Sequence, residues 1–484
     1  MPMAKQVLNN YIGGQWVKGE GVNVVTDPYT GAELGRVTLA TPKQVEQALK
    51  AASAAFEIMR QLPSRLRAEL LWRVRERIAA DRDKLAQLIC AEAGKPITFA
   101  RGEVSRALET VQLSAEEARR LNGEYLPLDL VPGADSYQGM VRRVPRGPAT
   151  ALWPFNFPLN LLWHKLGPAL AAGCPVLMRP PSDTPLTGHR VAQYFADECR
   201  ALELPLALVQ YVACSHSVAT PLVEDPRIKA LSFTGSDEVG WELKRRANKK
   251  QVMLELGGQA SLIVEPDAPD LKWAANRAAL GAFAFAGQVC ISVQRVMVNR
   301  RIADKFVPLF LKEVKALKTG DPRNPRTTVG PLINAGAADK IKSWVEEAVA
   351  KGARLLTGHR RKKQLLTPHV LQGVKKNTQL YKGEVFGPVA VLEYYRTLAD
   401  AVRMTNASRY GLQSAVFTRD IDKVLAAWRD VDVGGLVVND YPTFRVDHMP
   451  YGGVKDSGFG REGVRYAVQE YTEPRLLAIR SPGK

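Results

Sequence analysis

An α/β chain built on a doubly wound parallel sheet is predicted by three features of the sequence. Short apolar runs alternate with helical patterns between Ala149 and Ala247. After Gly257-Gly258 the alternation resumes and continues to about Lys455. Three β-patterned pieces, 1–40, 122–146 and a tail from Val468, fit neither stretch. Strands separated by helices of this length pair in parallel, and such sheets bind ligands beyond the carboxyl ends of their strands.

Taken in order, residues 1–40 read as short strands with Pro28-Tyr29-Thr30-Gly31 as a turn. Thr41-Pro42 opens a helix with Val45, Leu49 and Ala52 on one face. Residues 66–89 continue as one helix, apolar on one side and rich in arginine on the other. A third helix, 99–121, follows Gly94-Lys95-Pro96, and 122–146, interrupted by Pro127, Pro132 and Gly133, reads as a projecting hairpin. In the first alternating stretch, strands are expected at 149–153, 175–178, 208–212 and 229–233, and helices at 160–172, 187–202 and 237–247. In the second, 261–264, 291–298 and 434–438 read as strands and 271–285 as a helix. The tail, 468–479, is strand-like and is expected to pair with the 122–146 hairpin.

A chain of 484 residues can bury a large interior shared among two or three domains. No apolar run is long enough to span a bilayer and no charged-then-apolar leader opens the chain, so neither membrane span nor signal peptide is expected. Five scattered cysteines, Cys90, Cys174, Cys199, Cys214 and Cys290, suggest a reducing cytoplasm and not a disulfide framework or a metal site. The net charge of +18 is unusual. Its two densest clusters, Lys244–Lys250 and His359–Lys363, lack interleaved aromatics and read as solvated surface, so no nucleic-acid partner is expected.

The stretch with most chemical promise is GAFAFAGQVCISVQR, 281–295, where small apolar residues lead to Cys290. A thiolate attacks carbonyl carbon if helix termini or cations lower its pKa; alone, the same pattern fits a buried structural cysteine. Gly458–Gly463 matches GxGxxG but follows Lys455-Asp456-Ser457 and no strand, so it is rejected as a dinucleotide fingerprint. Phe233-Thr234-Gly235-Ser236 is better placed, where a strand ends and a helix opens, so that backbone N–H groups can meet a pyrophosphate. Arg179 and Ser182 end another strand at the same sheet edge.

Combination decides what single motifs do not. Trp153-Pro154-Phe155-Asn156-Phe157-Pro158, the Phe233–Ser236 run, Leu254-Glu255-Leu256-Gly257-Gly258, Gly287-Gln288-Val289-Cys290, Glu384-Val385-Phe386-Gly387-Pro388 and Pro450-Tyr451-Gly452-Gly453-Val454-Lys455-Asp456-Ser457-Gly458 occur in this order. Over essentially its whole length the chain resembles the aldehyde dehydrogenase superfamily. Within it, PFNFPLNLLWHKLGPALAAG and DHMPYGGVKDSGFGREGVRYA resemble the branch with lactaldehyde, phosphonoacetaldehyde and non-phosphorylating glyceraldehyde-3-phosphate enzymes.

The resemblance implies a doubly wound cofactor domain over 1–121 and 147–256, an α/β catalytic domain over 257–455, and an oligomerisation element over 122–146 and 468–484. A homodimer or homotetramer follows. It implies NAD- or NADP-dependent oxidation of a small-molecule aldehyde to the acid. Cys290 would attack to give a thiohemiacetal and then a thioester, and Asn156 would hold the oxyanion. Glu255 would activate the hydrolytic water, with its pKa raised by an apolar setting. Lys165 and Glu462 match positions associated with proton movement. Trp153, Pro154, Phe155, Leu256 and Gly257, beside Glu255, would border the cofactor. Ser236, with Phe233, Thr234 and Gly235, would meet its pyrophosphate, and Glu384 and Phe386 its nicotinamide ribose.

Arg179 and Ser182 stand where the family often has lysine and glutamate. Losing the carboxylate removes repulsion against a 2′-phosphate, so NADP is expected to serve at least as well as NAD. Arg106 suits either a surface ion pair or an aldehyde bearing phosphate, phosphonate or carboxylate. Two rival readings remain: a cofactor-independent thioester or ester hydrolase using the same cysteine, and a non-catalytic binding protein that kept the fold.

Overall fold

The computed structural model describes residues 7–358 and 360–481. Its largest sheet has eight strands, in spatial order Gly458–Phe459, Gln251–Glu255, Ala230–Thr234, Ala149–Leu152, Val176–Arg179, Val209–Tyr211, Asn10–Ile12 and Gln15–Val17. The five central strands run parallel, as the alternation predicts. Both edges are closed by antiparallel additions, from the N-terminal hairpin on one side and from Gly458–Phe459 on the other. Chain order reverses between Ala149–Leu152 and Ala230–Thr234, so the carboxyl ends of these two neighbours open a crevice.

A second sheet of seven strands runs Arg354–Thr357, His369–Gln372, Val389–Tyr395, Val293–Asn299, Ala260–Val264, Gln413–Phe417 and Gly435–Val438, parallel except at the first pair. The expected hairpin and tail form a separate antiparallel sheet. Tyr137–Pro145 pairs with Glu124–Pro127 on one side and with Thr472–Arg480 on the other, in a register that sets Arg142 opposite Arg475.

Four expected elements differ in extent, each for a local reason. The helix read over 66–89 is two, Ser64–Ala80 and Arg82–Ala93. They break at Asp81, whose carboxylate accepts hydrogen bonds from Arg190 at 2.6 Å and Tyr194 at 2.7 Å on a neighbouring helix. The third helix is Ile97–Ala118, starting where Pro96 fixes the backbone. The 271–285 helix stops at Phe283, because Phe285 and Ala286 adopt left-handed φ values of 52° and 55° ahead of Gly287 at 68°. In the tail, Val464–Glu470 is a helix and the strand begins only at Thr472.

The helix Asn160–Ala172 is buried on every side. It lies so close to Ile97–Ala118 that a Cβ on Gly167 would come within 2.2 Å of Ser114 Oγ. Of the first basic cluster, Lys244, Arg245 and Arg246 occupy the last turn of Asp237–Arg246, where they complement the helix dipole, and Lys249 and Lys250 follow the helix. Of the second basic cluster, His359 lies outside the described residues, and Arg361–Lys362 forms a short exposed strand. The rejected glycine motif is an edge strand followed by the cap of Val464–Glu470. Among the described residues no helix is long and apolar enough to cross a membrane.

Candidate active site

The two large sheets meet around Cys290. The left-handed run 285–287 turns the chain back on itself, and Cys290 lies between it and the strand Val293–Asn299. Gly258, following the strand that carries Glu255, touches this loop: a Cβ there would stand 2.2 Å from the Cys290 carbonyl oxygen. Gln288 fastens the loop by donating to Pro331 O at 3.2 Å and accepting from Ile333 N at 2.9 Å. Burial pushes the Cys290 thiol up to about 12, while a hydrogen bond with Tyr451 pulls the other way. The Sγ to Tyr451 Oη distance is 3.2 Å.

Asn156 is buried and donates one amide hydrogen to Gln288 O at 2.8 Å. Its second amide hydrogen is not committed by that bond. Glu255 ends the strand Gln251–Glu255, is 4% exposed, and has one carboxylate oxygen without a hydrogen-bond partner. Burial first, and then the nearby Glu462 carboxylate, hold its pKa well above the ordinary carboxylate range. Glu462 shows the opposite outcome. Burial raises it too, but Lys165 Nζ at 2.9 Å and Arg445 Nη2 at 2.9 Å outweigh that and hold it at about 2. Lys165 is fully buried and donates also to Thr234 Oγ1 at 2.6 Å, so it links the first sheet to the Glu462 loop.

The structure thus brings Cys290, Asn156, Glu255, Lys165 and Glu462 into one cluster, with Glu384 and Phe386 at its side. Glu384 accepts from Gly258 N at 2.9 Å, and burial raises its carboxyl to about 7. Gly257 is glycine because a Cβ would press within 2.8 Å of that carboxylate. Phe386 has a left-handed φ of 51° and meets Phe155 edge to face at 5.9 Å.

The other expected contacts lie at the crevice of the first sheet, with different standing. Ser236 is exposed at the start of Asp237–Arg246 and its side chain caps nothing. Arg179, half-buried, donates to Cys214 O at 3.2 Å and keeps a buried Nε without a partner. Ser182 is exposed and held through its carbonyl by Asn23. Phe233 packs its ring under Gly235, Thr234 is taken by Lys165, and Leu256 is core. Trp153 is core as well, so close to Gly188 that a Cβ there would lie 2.6 Å from its ring, and Pro154 is half-buried. Arg106 is an ion-pair residue: it grips Asp447 with contacts of 2.7 and 3.2 Å, and Asp447 also bonds Asn160 and His164.

Several residues at the site carry no local signal. Arg445 and Asp447 sit in an irregular loop, and Tyr451 reads as one letter of a glycine-rich run. Lys95 and Glu103 are a fully buried pair at 2.5 Å. The Lys95 ammonium lies 3.5 Å from the Phe157 ring centroid and 4.8 Å from that of Phe285, while Glu103 accepts from the backbone N–H groups of Leu159 and Asn160. One ion pair therefore ties the Asn156 loop to the Cys290 loop. Lys95→Met leaves a buried carboxylate unpaired and is expected to cost about 3–5 kcal/mol of stability, whereas Lys95→Met with Glu103→Leu costs much less. Denaturant unfolding of the two variants compares them.

Residues 16–477 match the aldehyde dehydrogenase family. The chain is similar to 3-sulfolactaldehyde dehydrogenase of Priestia megaterium, 36% identical over 97% of both chains. It is similar in structure to aldehyde dehydrogenase 21 of Physcomitrella patens in complex with the reaction product succinate, with TM-score 0.95, 40% identity and 99% of each chain covered. It is also similar to glyceraldehyde-3-phosphate dehydrogenase of Methanocaldococcus jannaschii complexed with NADP, with TM-score 0.92, 35% identity, and 96% of this chain and 100% of the other covered. The chain belongs to the aldehyde dehydrogenase family. Its class is that of NAD(P)-dependent oxidoreductases acting on aldehydes, and the cofactor-independent hydrolase is not favoured.

Proposed function

We propose that Cys290 is the nucleophile of this dehydrogenase and that the aldehyde it oxidises is small and carries an acid group. The observation behind the first part is the company of the thiol: a buried carboxylate, Glu255, with a free oxygen and a raised proton affinity, and a buried amide, Asn156, anchored to the loop that carries Cys290. Cys290 gives up its proton to solvent, the sulfur adds to the carbonyl carbon, and the oxyanion formed as the C=O π bond breaks is held by the Asn156 amide with the Cys290 backbone N–H. When bound, NAD or NADP supplies the acceptor for the hydride. Glu255 takes a proton from water, which attacks the resulting thioester and frees the acid and the thiol. Glu462 holds negative charge near Glu255 and sustains its proton affinity after burial, while the Lys165 ammonium acts against it. The buried, unpartnered Arg179 Nε and the uncommitted Ser236 hydroxyl, at one crevice, fit the phosphates of a dinucleotide. Arg179 with Ser182 favours NADP as at least the equal of NAD.

The acid group rests on Arg445. Its guanidinium is 6% exposed, it lies 3.6 Å over Tyr451, and its Nε has no partner. The similar proteins named for sulfolactaldehyde and glyceraldehyde 3-phosphate, and the one holding succinate, support this class. The test is the initial rate of reduced-nicotinamide absorbance with NAD and with NADP. The panel comprises propanal, benzaldehyde, lactaldehyde, glyceraldehyde 3-phosphate, phosphonoacetaldehyde, sulfolactaldehyde and succinic semialdehyde. Acid-bearing aldehydes are expected to lead, and Arg445→Met to cut their kcat/KM relative to propanal by about 100-fold. An unchanged ratio refutes the assignment, and NADP efficiency far below that of NAD refutes the cofactor preference.

The division into cofactor, catalytic and oligomerisation parts is our reading of the three sheets. A homodimer or homotetramer is supported by the exposed Tyr125, Leu476 and Leu477 on the hairpin sheet. A reducing cytoplasm fits five free thiols.

A further inference from the structure

Cys290 is surrounded by groups that mostly oppose its ionisation. Burial raises it, the Glu384 and Glu255 carboxylates raise it further, and Arg445 is the cation that acts against them. The residue sits in a turn and not at the start of a helix. What touches Sγ is the Tyr451 hydroxyl, at 3.2 Å.

That hydroxyl is held firmly. Tyr451 is 3% exposed, and its backbone exchanges two hydrogen bonds with Glu462, at 3.0 and 2.7 Å. The Arg445 guanidinium lies 3.6 Å from the ring centroid. A cation over the ring face draws on its π density and makes the phenol a better hydrogen-bond donor. Burial, and then the facing thiol and Glu255, keep the phenol proton in place far above neutral pH. Once Cys290 has lost its proton, the phenol holds the hydrogen that can lie between oxygen and sulfur.

We propose that Tyr451 is a catalytic residue whose O–H donates a hydrogen bond to the Cys290 thiolate, with Arg445 holding and polarising its ring. This rests on Cys290 being the nucleophile. The phenol keeps its proton throughout. It stabilises the sulfur anion before attack, when the S–C bond has yet to form, and again when that bond breaks and the thiolate leaves the hydrolysed thioester. A charge-assisted hydrogen bond of this kind is among the stronger ones.

The test is Tyr451→Phe, which removes one oxygen and preserves the ring. Alkylation of Cys290 by iodoacetamide is followed against pH, by the mass of the Cys290 peptide, beside steady-state kinetics. Melting temperature and NADP affinity serve as controls for the fold. The alkylation midpoint is expected to rise by about one unit, leaving about tenfold less thiolate near neutrality. A matching fall of about tenfold in kcat/KM, with KM changed less than about threefold, is expected. An unmoved midpoint overturns the proposal, whether or not KM rises, because the hydroxyl then serves the substrate or nothing. Aldehyde oxidation surviving in Cys290→Ala overturns the underlying reading instead, and is told apart because it needs no Tyr451 variant to be seen.

Discussion

Cys290→Ala is expected to lose aldehyde-dependent reduction of NAD(P) by about 10⁴-fold or more while binding the nucleotide as before. The loss is large because the thiol is not a binding group that others can replace: without sulfur there is no covalent adduct and no thioester for Glu255 to act on. The fold is expected to survive. Cys290 is partly exposed at the site, and its loop is held by Gln288 and by contact with Gly258, neither of which uses the thiol. Initial rates beside nucleotide titration decide the matter. Retained turnover, or equal loss of nucleotide binding, refutes the assignment.

Glu255→Gln is expected to separate the two halves of the reaction. Adduct formation and hydride transfer proceed, so one equivalent of reduced cofactor appears per active site in a burst. Steady-state turnover then falls by about 10²- to 10⁴-fold, because the amide cannot take a proton from water. The pH dependence follows from the same carboxyl. Its pKa is raised by burial and by Glu462, so the competent, deprotonated form fills only as pH climbs through that raised value. Turnover of the wild type should therefore rise with pH on the acid side, and that ascending limb should vanish in Glu255→Gln. Rapid-mixing absorbance with mass detection of the acylated peptide reports both. A variant that shows no burst places Glu255 before the thioester and not after it.

Parallel strands such as Ala149–Leu152 and Val293–Asn299 were legible because each is a short apolar run between helical patterns, and the hairpin and tail because they broke that rhythm, whereas Gln251–Glu255, His369–Gln372, Val389–Tyr395 and Gln413–Phe417 were not singled out as strands. Helix ends were legible only where the chain itself sets them, as at Gly173. Where a distant side chain decides, as Arg190 and Tyr194 do at Asp81, no local pattern carries the break. The site divides the same way. Cys290, Asn156, Glu255, Glu384 and Lys165 lie in runs distinctive enough to be found. Arg445 and Asp447 come from a loop without period, and Lys95 and Glu103 read as an ordinary lysine and an ordinary helical carboxylate. Their importance comes from burial and partners, which tertiary packing alone creates. The Trp153 side chain shows the reverse: a position inside a distinctive run, spent on packing against Gly188.

The thiol loop belongs to one large sheet, and Asn156, Glu255 and Lys165 to the other, with Lys95 and Glu103 bridging them. Neither half holds the whole cluster by itself. A chain that has completed only its first 256 residues has Asn156, Lys165 and Glu255 without the Cys290 loop. A chain with only the second sheet formed has Cys290 without Asn156 or Glu255 beside it. On refolding, recovery of turnover is therefore expected to wait until the two sheets dock.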